Sequence, residues 1–512
     1  MANNSVARQR VTPAELEQAV RHLLNTSKQP ILEEPGEEPF PLTEGQFDIE
    51  MKSNHLMLTV WDEVRTLSRR AVDIVDQRAG RLKLAIEKFG GKPGFITLYD
   101  QARPSNVELP RHGRRIIFRE QLRLMMRREL AGWKLESLSS EMDLEHSLSP
   151  KFPRALLRQG KQAWAVIACP PDSLDPDEVL TYGLLWLDYL RRRDRQLVIH
   201  GLTLFLPREN AAVVAARLRW LDTTVAQYRL FVFAPDFSAQ LADPADWGNI
   251  SSQLNVCRRP LEETQTATSD LVERILALDG VEGVEPGNGL LSLRVAGLEF
   301  GIFAGGQLDF GINGKQPVTN HHWHEIEATV AELCRMRSAT ADDRQNPIYQ
   351  RQPERWLEAQ VRRHVARLEP WLYSKPIYGQ VPTFTARDRG IIDLLAVDRA
   401  GRLTVIELKA SADPHLPLQA LDYWMRVQHH AALGEFSGLG FFPGIVLRAQ
   451  APKLLLIAPA LEFHPTTETL LRFYASTVEV ERIGVGLEWR HRLQVLFRLA
   501  GAQCATSFAE TT

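Results

Sequence analysis

Cysteine is scarce and scattered. Cys169, Cys257, Cys334 and Cys504 are the only four in 512 residues, and no two form a CxxC pair. That excludes a disulfide framework, a zinc ribbon and a four-cysteine iron–sulfur cluster. An excess of one charge is missing too. The 61 Lys and Arg against 63 Asp and Glu leave a formal net charge of −2. This excludes a strongly basic coat protein for nucleic acid, though not a local basic cleft. No apolar run reaches 18 residues, and the opening MANNSVARQRVTPAELEQ has no apolar signal-peptide core. The expectation is therefore a cytoplasmic protein with no membrane partner. What is present is ample core material: 44% hydrophobic residues, and length for about three or four domains at roughly 150 residues each.

Three polar stretches, 30–44, 241–270 and 338–353, read as linkers. They leave four blocks: 10–110, a small α/β module; 111–245; 265–340, a small α+β module; and 350–500. The fold expected is multidomain and of mixed α/β class. In the last block, ERWLEAQVRRHVARLEPWL carries Trp356, Leu357, Val361, Val365 and Leu368 as one apolar helical stripe. Two strands follow, GIIDLLAV and RLTVIEL, joined by Asp398-Arg399-Ala400-Gly401, a hairpin signal. A loop containing Pro417 then leads into the helix LQALDYWMRVQHHAAL.

Strand side chains alternate faces, so Glu407 and Lys409 point the same way at the end of an apolar, β-branched strand. Such a pair is costly to bury unless something compensates it. Folding the hairpin brings Asp393 to within about one residue of Glu407. Two carboxylates and an ammonium thus gather on one hairpin. Carboxylate oxygens suit hard cations, so Mg²⁺ or Mn²⁺ is the expected cofactor, activating water for attack on a phosphodiester while Lys409 steadies the developing charge.

Asp393 followed by Glu407-Leu408-Lys409 resembles the core motif of the PD-(D/E)XK nuclease superfamily, with Ile392 where the eponymous proline would stand. Gln419-Ala-Leu-Asp-Tyr423 resembles the Q-x-x-x-Y element of its RecB-like branch, and GIIDLLAVDRAGRLTVIELK resembles the catalytic domain of NucS-type endonucleases. The resemblance covers about 350–430. It implies a restriction-endonuclease-like fold, a central mixed sheet flanked by helices. It further implies Asp393 and Glu407 as metal ligands, Lys409 as catalytic, and Glu358 (with Glu354 as second choice) supporting the metal or its water. Gln419 and Tyr423 would orient the site or the nucleic-acid backbone. The expected activity is endonucleolytic cleavage of DNA, in repair or defence. The rivals are a silent nucleic-acid-binding scaffold of the same fold, and an exonuclease or RNA-directed enzyme.

Block 111–245 reads as a degenerate second copy. REQLRLMMRREL parallels RWLEAQVRRHV, placing Arg123 at Glu358. RALLRQGKQAWAVIACP parallels the catalytic hairpin, placing Ala155 at Asp393, Ala168 at Glu407 and Pro170 at Lys409. LVIHGLTLFLP (197–207) parallels LLIAPALEFHP (455–465). Seven arginines lie between 111 and 128, and Arg115, Arg119, Arg123 and Arg127 could line a phosphate-binding face. With one live site per chain, double-strand cutting would call for a homodimer. Elsewhere, the spacing of His321, His322, His324 and Glu325 suits a helix start at Asn320 or a neighbouring His better than a metal cluster. Cys169 reads as buried packing, and Trp356 and Trp371 as core.

Overall fold

The computed structural model describes residues 12–502 apart from 28, 35–38, 43–46, 53–54, 62–65, 79, 89–91, 101–110, 248–252, 255–269, 288–289, 339, 342 and 385–388. Two compact units divide the chain, Met1–Leu124 and Met125–Thr512. In the first, helix Pro13–Thr26 starts on a capping box between Thr12 and Glu15 and turns Leu16, Ala19, Val20 and Leu23 inward. They pack on a seven-stranded, wholly antiparallel sheet. The stretch 30–44 is therefore not simply a linker: Phe40–Pro41 is that sheet's edge strand and Pro30–Glu33 is the strand beside it. Proline is tolerated at both places, Pro41 because an edge strand need not donate every N–H and Pro30 because it is the first residue of its strand.

The second unit is built mainly on two large sheets. The first comprises β1 (Lys134–Ser139), β2 (Arg154–Gln159), β3 (Gln162–Ala168), helix α1 (Val179–Arg193), β4 (Val198–Pro207), helix α2 (Ala211–Leu218), β5 (Gln227–Phe233) and β6 (Ala239–Ala242). The second comprises helix α3 (Pro353–Leu368), β7 (Tyr378–Phe384), β8 (Arg389–Val397), β9 (Leu403–Leu408), helix α4 (Leu416–Ala432), β10 (Lys453–Pro459), helix α5 (Thr467–Leu471), β11 (Val480–Val485) and β12 (Val495–Ala500). The strands run in sequence order in both sheets. Their senses match as well: two antiparallel pairings, two parallel ones made through a helix, and an antiparallel edge. The parallel steps need a crossover helix, which α1, α2, α4 and α5 supply. A further edge strand, Gln253–Leu254, pairs with β7 from within the polar stretch 241–270.

The matching secondary structure corrects the residue correspondence expected from sequence. β4 and β10 each end in a proline, Pro207 and Pro459, that opens a 3₁₀ turn. Two residues earlier, Phe205 O accepts the Cys169 N–H (2.9 Å) and Ile457 O accepts the Lys409 N–H (3.1 Å). Cys169 thus stands where Lys409 does, and Ile167 where Glu407 does. Arg154, paired with Ile167, stands where Asp393 does. The expected Ala155, Ala168 and Pro170 are each one residue off. The hairpin loops differ, Gly160-Lys161 in one sheet and 398–402 in the other, and apolar triplets alone cannot register loops of unequal length.

A five-stranded antiparallel sheet between 281 and 318, covered by helices Asp270–Leu276 and Trp323–Met336, completes the unit. Its turn at Ala296-Gly297 lies against the start of α3. At Gly297 (φ +78°) an added Cβ would sit 2.1 Å from Arg355 O, so only glycine allows the contact. Arg337 ties the stretch after this module down, donating to Ile348 O and Arg351 O at 2.7 Å each.

Candidate functional site

The β8–β9 hairpin sets the site. Asp398 Oδ1 accepts the N–H groups of Ala400 and Arg402 (2.8 Å each), and Gly401 takes φ +85° to close the turn. The register that follows sets Leu395 opposite Val405 and Leu394 opposite Ile406 and ends there, leaving Asp393 and Glu407 as the next residues on the two strands. Alternate residues serve different cores: Leu395 and Val405 pack on the α4 side, Leu394 and Ile406 on the α3 side. Glu407 therefore lies on the α4 side with Val405, where its charge acts on Tyr423. Asp393, between Ile392 of one core and Leu394 of the other, acts on Tyr423 too and is acted on by Arg355 and Glu354 of α3.

Glu407 is 1% exposed, and its Oε2 has no hydrogen-bond partner. Burial, and then repulsion from Asp393, push its pKa well above the ordinary carboxylate value, with Lys409 pulling the other way. Burial raises Asp393 to about 6 even though its Oδ2 accepts the Leu408 N–H at 3.0 Å. Burial also works against the Lys409 ammonium, but Glu354, Glu407, Asp413 and Asp393 outweigh it and hold its pKa above the usual value. Lys409 Nζ lies 3.8 Å from Glu354 Oε1 and 3.6 Å from Asp413 Oδ2.

The two α3 acids have different surroundings. Glu358 is 2% exposed and held by arginines of its own helix, Arg355 Nη1 at 3.1 Å and Arg362 Nη1 at 3.5 Å. Burial raises it to about 7, against the pull of Arg355, Arg362 and Arg294. Glu354 is the α3 acid that reaches Lys409. Arg355, Arg362 and Gly379 were not foreseen. The i,i+3 and i,i+4 spacing around Glu358 was a readable signal for the arginines. Gly379 was not readable; a Cβ there would come 2.9 Å from Glu358 Oε1. Glu282, from the five-stranded sheet, in turn pairs with Arg362 (2.9 Å) and Arg363.

On α4, Gln419 Nε2 donates to Tyr423 Oη at 3.2 Å, and burial raises the Tyr423 pKa. Next in sequence, Asp422 makes a two-pronged buried pair with Arg217 of α2, at 2.7 and 2.5 Å. The helix that presents Gln419 and Tyr423 is thus pinned to the other sheet's layer.

Arg115, Arg119, Arg123 and Arg127 follow one another on helix Arg111–Glu129, with Glu120 near Arg119 (3.8 Å) and Arg123 (3.5 Å). His321, His322 and His324 do not converge; Thr319 caps the short turn Asn320–His322, and His322 stands at the N-cap of the helix Trp323–Met336, the neighbouring-histidine start. Cys169 is fully buried, its thiol pushed up to about 12 by burial. Trp356 is buried, but Trp371 is 71% exposed, contrary to expectation.

Among the described residues no group of three or more His, Cys, Asp or Glu side chains is placed to hold a metal. The Asp393–Glu407 pair nevertheless fits a hard cation. Mg²⁺ takes one or two protein carboxylates and fills its other positions with water and phosphate, and the partnerless Glu407 Oε2 supplies a ligand atom.

No protein-family model and no curated protein matches the chain. Among solved structures, a complex of EndoMS with double-stranded DNA is similar over 39% of this chain and 87% of its own, at 12% identity and a TM-score of 0.13. Among the described residues no helix is long and apolar enough to cross a membrane.

Proposed function

We propose that the chain is a metal-dependent endonuclease that hydrolyses phosphodiester bonds in DNA. The observation that supports it is the neighbouring pair Asp393 and Glu407, buried beside Lys409, with Glu407 Oε2 lacking any protein partner. Asp393 and Glu407 would hold Mg²⁺ or Mn²⁺, which when bound supplies a hydroxide-like water at neutral pH and offsets charge on the phosphate. Lys409, kept protonated by the acids around it, steadies charge developing on the phosphate and orients the water. Glu354 limits where the ammonium can swing. Tyr423 and Gln419 present a hydroxyl and an amide from α4 to the nucleic-acid backbone. The test is incubation of the purified chain with labelled single-stranded, duplex, branched and mismatched DNA, with Mg²⁺, with Mn²⁺ and with EDTA. Cleavage confined to the metal arms is expected; cleavage unaffected by EDTA, or none in any arm, rejects the reading.

The same pair predicts a stability effect of opposite sign to its effect on activity. As pH rises above about 4.5 the unfolded chain gives up the Glu407 proton before the folded chain does, because burial and Asp393 raise the folded value. The metal-free fold therefore loses stability as pH climbs toward that value. Glu407→Gln removes the buried charge, and at pH 8 in EDTA it is expected to stabilise the fold by about 1–2 kcal/mol in denaturant titration. The same variant should lose the added stability that Mg²⁺ gives the parent chain. A variant less stable than the parent in EDTA would contradict this account of the site.

A further inference from the structure

The two large sheets of the second unit meet reciprocally. Leu221 follows the end of α2 at the same interval as Tyr474 follows the end of α5, and these two residues pair in an antiparallel bridge. On either side, Asp222 N–H donates to Phe473 O and Ala475 N–H donates to Trp220 O, both at 2.8 Å. β5 and β11 then begin equally far along, at Gln227 and Val480. Around this bridge α1 packs against α5, and α4 against α2. Helix α1 matches α4 in its sheet and α2 matches α5, so each packing is the other with the halves exchanged. A contact in which equivalent residues meet is the isologous contact of a two-fold dimer, here within one chain.

We infer that the first sheet and its helices stand in for a second subunit, so that a single chain engages duplex DNA as a one-site pseudo-dimer and nicks only one strand. This rests on the function proposed above. The strands of a duplex are related by local two-fold axes, and a two-fold protein offers one half to each strand. One half here carries Asp393, Glu407 and Lys409. The other carries Arg154, Ile167 and Cys169 at the corresponding positions, with no carboxylate among them. Arg154 is 6% exposed and its guanidinium is committed to Glu141 O and Ser149 O, so this half keeps its shape without acids. The homodimer expected from sequence is thereby replaced: its second half is already in the chain.

The test uses negatively supercoiled plasmid with the full chain in excess and Mg²⁺ or Mn²⁺. Open circles that accumulate without linear molecules are the expected product. Linear molecules appearing as early as open circles overturn the inference. Absence of cleavage on every DNA rejects the proposed function instead, and a second arm then decides the inference alone. The Asp393→Asn chain is sedimented with a short duplex, and one chain per duplex is expected. Two chains per duplex, or no duplex binding, overturns the inference.

Discussion

Alanine at Asp393 or at Lys409 is expected to lower metal-dependent DNA cleavage by at least about a thousandfold, with circular dichroism and DNA affinity close to those of the parent chain. Asp393 and Glu407 follow the last ladder pair on neighbouring strands and repel each other, so loss of Asp393 leaves one carboxylate where two would hold the ion. Lys409 contributes differently. Its ammonium sits among four acids, and removing it raises the cost of ionising Asp393 and Glu407 as well as removing the positive group beside the phosphate. Excess Mn²⁺ should therefore recover a larger share of the activity of Asp393→Ala than of Lys409→Ala, because no metal concentration replaces the positive group beside the phosphate. Parent-like cleavage by either alanine variant, measured on the best DNA substrate, would remove the site from consideration.

Arg217→Ala should be the most damaging change far from the chemistry, costing about 3–5 kcal/mol of unfolding free energy. The side chains of Arg217 and Asp422 are 6% and 11% exposed, and the arginine also donates to Asp177 O at 2.5 Å. Truncation leaves the Asp422 carboxylate charged and buried without its partner. Asp422→Ala should cost a similar amount, and the double variant much less than the two together, since an uncharged pair carries no stranded ion. Urea titrations of the four proteins would show this; additive losses would mean that the pair is not the linkage it resembles. Because Asp422 adjoins Tyr423, the Arg217 variant should also cleave more slowly while still folded.

The hairpin was legible in the sequence because three local signals agreed: alternation of apolar residues, an Asp-x-x-Gly turn, and a following helix with a clear start. The α3 stripe was equally readable, with Trp356, Leu357, Val361, Val365 and Leu368 all at most 1% exposed. What escaped depended on partners distant in sequence or on turn lengths. Glu282 meets Arg362 and Arg363 from 80 residues away, which no local pattern encodes. Trp371 was read as core rather than as a base-stacking surface, yet it follows Pro370 beyond α3 and stands exposed, its carbonyl accepting the Arg399 N–H at 2.9 Å. The one-residue slip in matching the two sheets came from a loop difference that leaves the apolar pattern intact. Which acid of α3 reaches Lys409 was likewise a question of helix rotation, and a helical spacing of four residues serves Glu354 and Glu358 equally well.

The bridge between Leu221 and Tyr474 joins surfaces that, in two separate chains, would find each other only at sufficient protein concentration. Covalent connection makes that encounter unimolecular, with an effective concentration fixed by the chain itself. A contact of a few backbone bonds and one buried ion pair can then persist at any dilution, and the assembled arrangement cannot exchange halves with another molecule. It also frees one half from the requirement of self-complementarity, so residues such as Arg154 can change on one side without changing on the other. Asymmetry of this kind is closed to a homodimer, in which every substitution occurs twice.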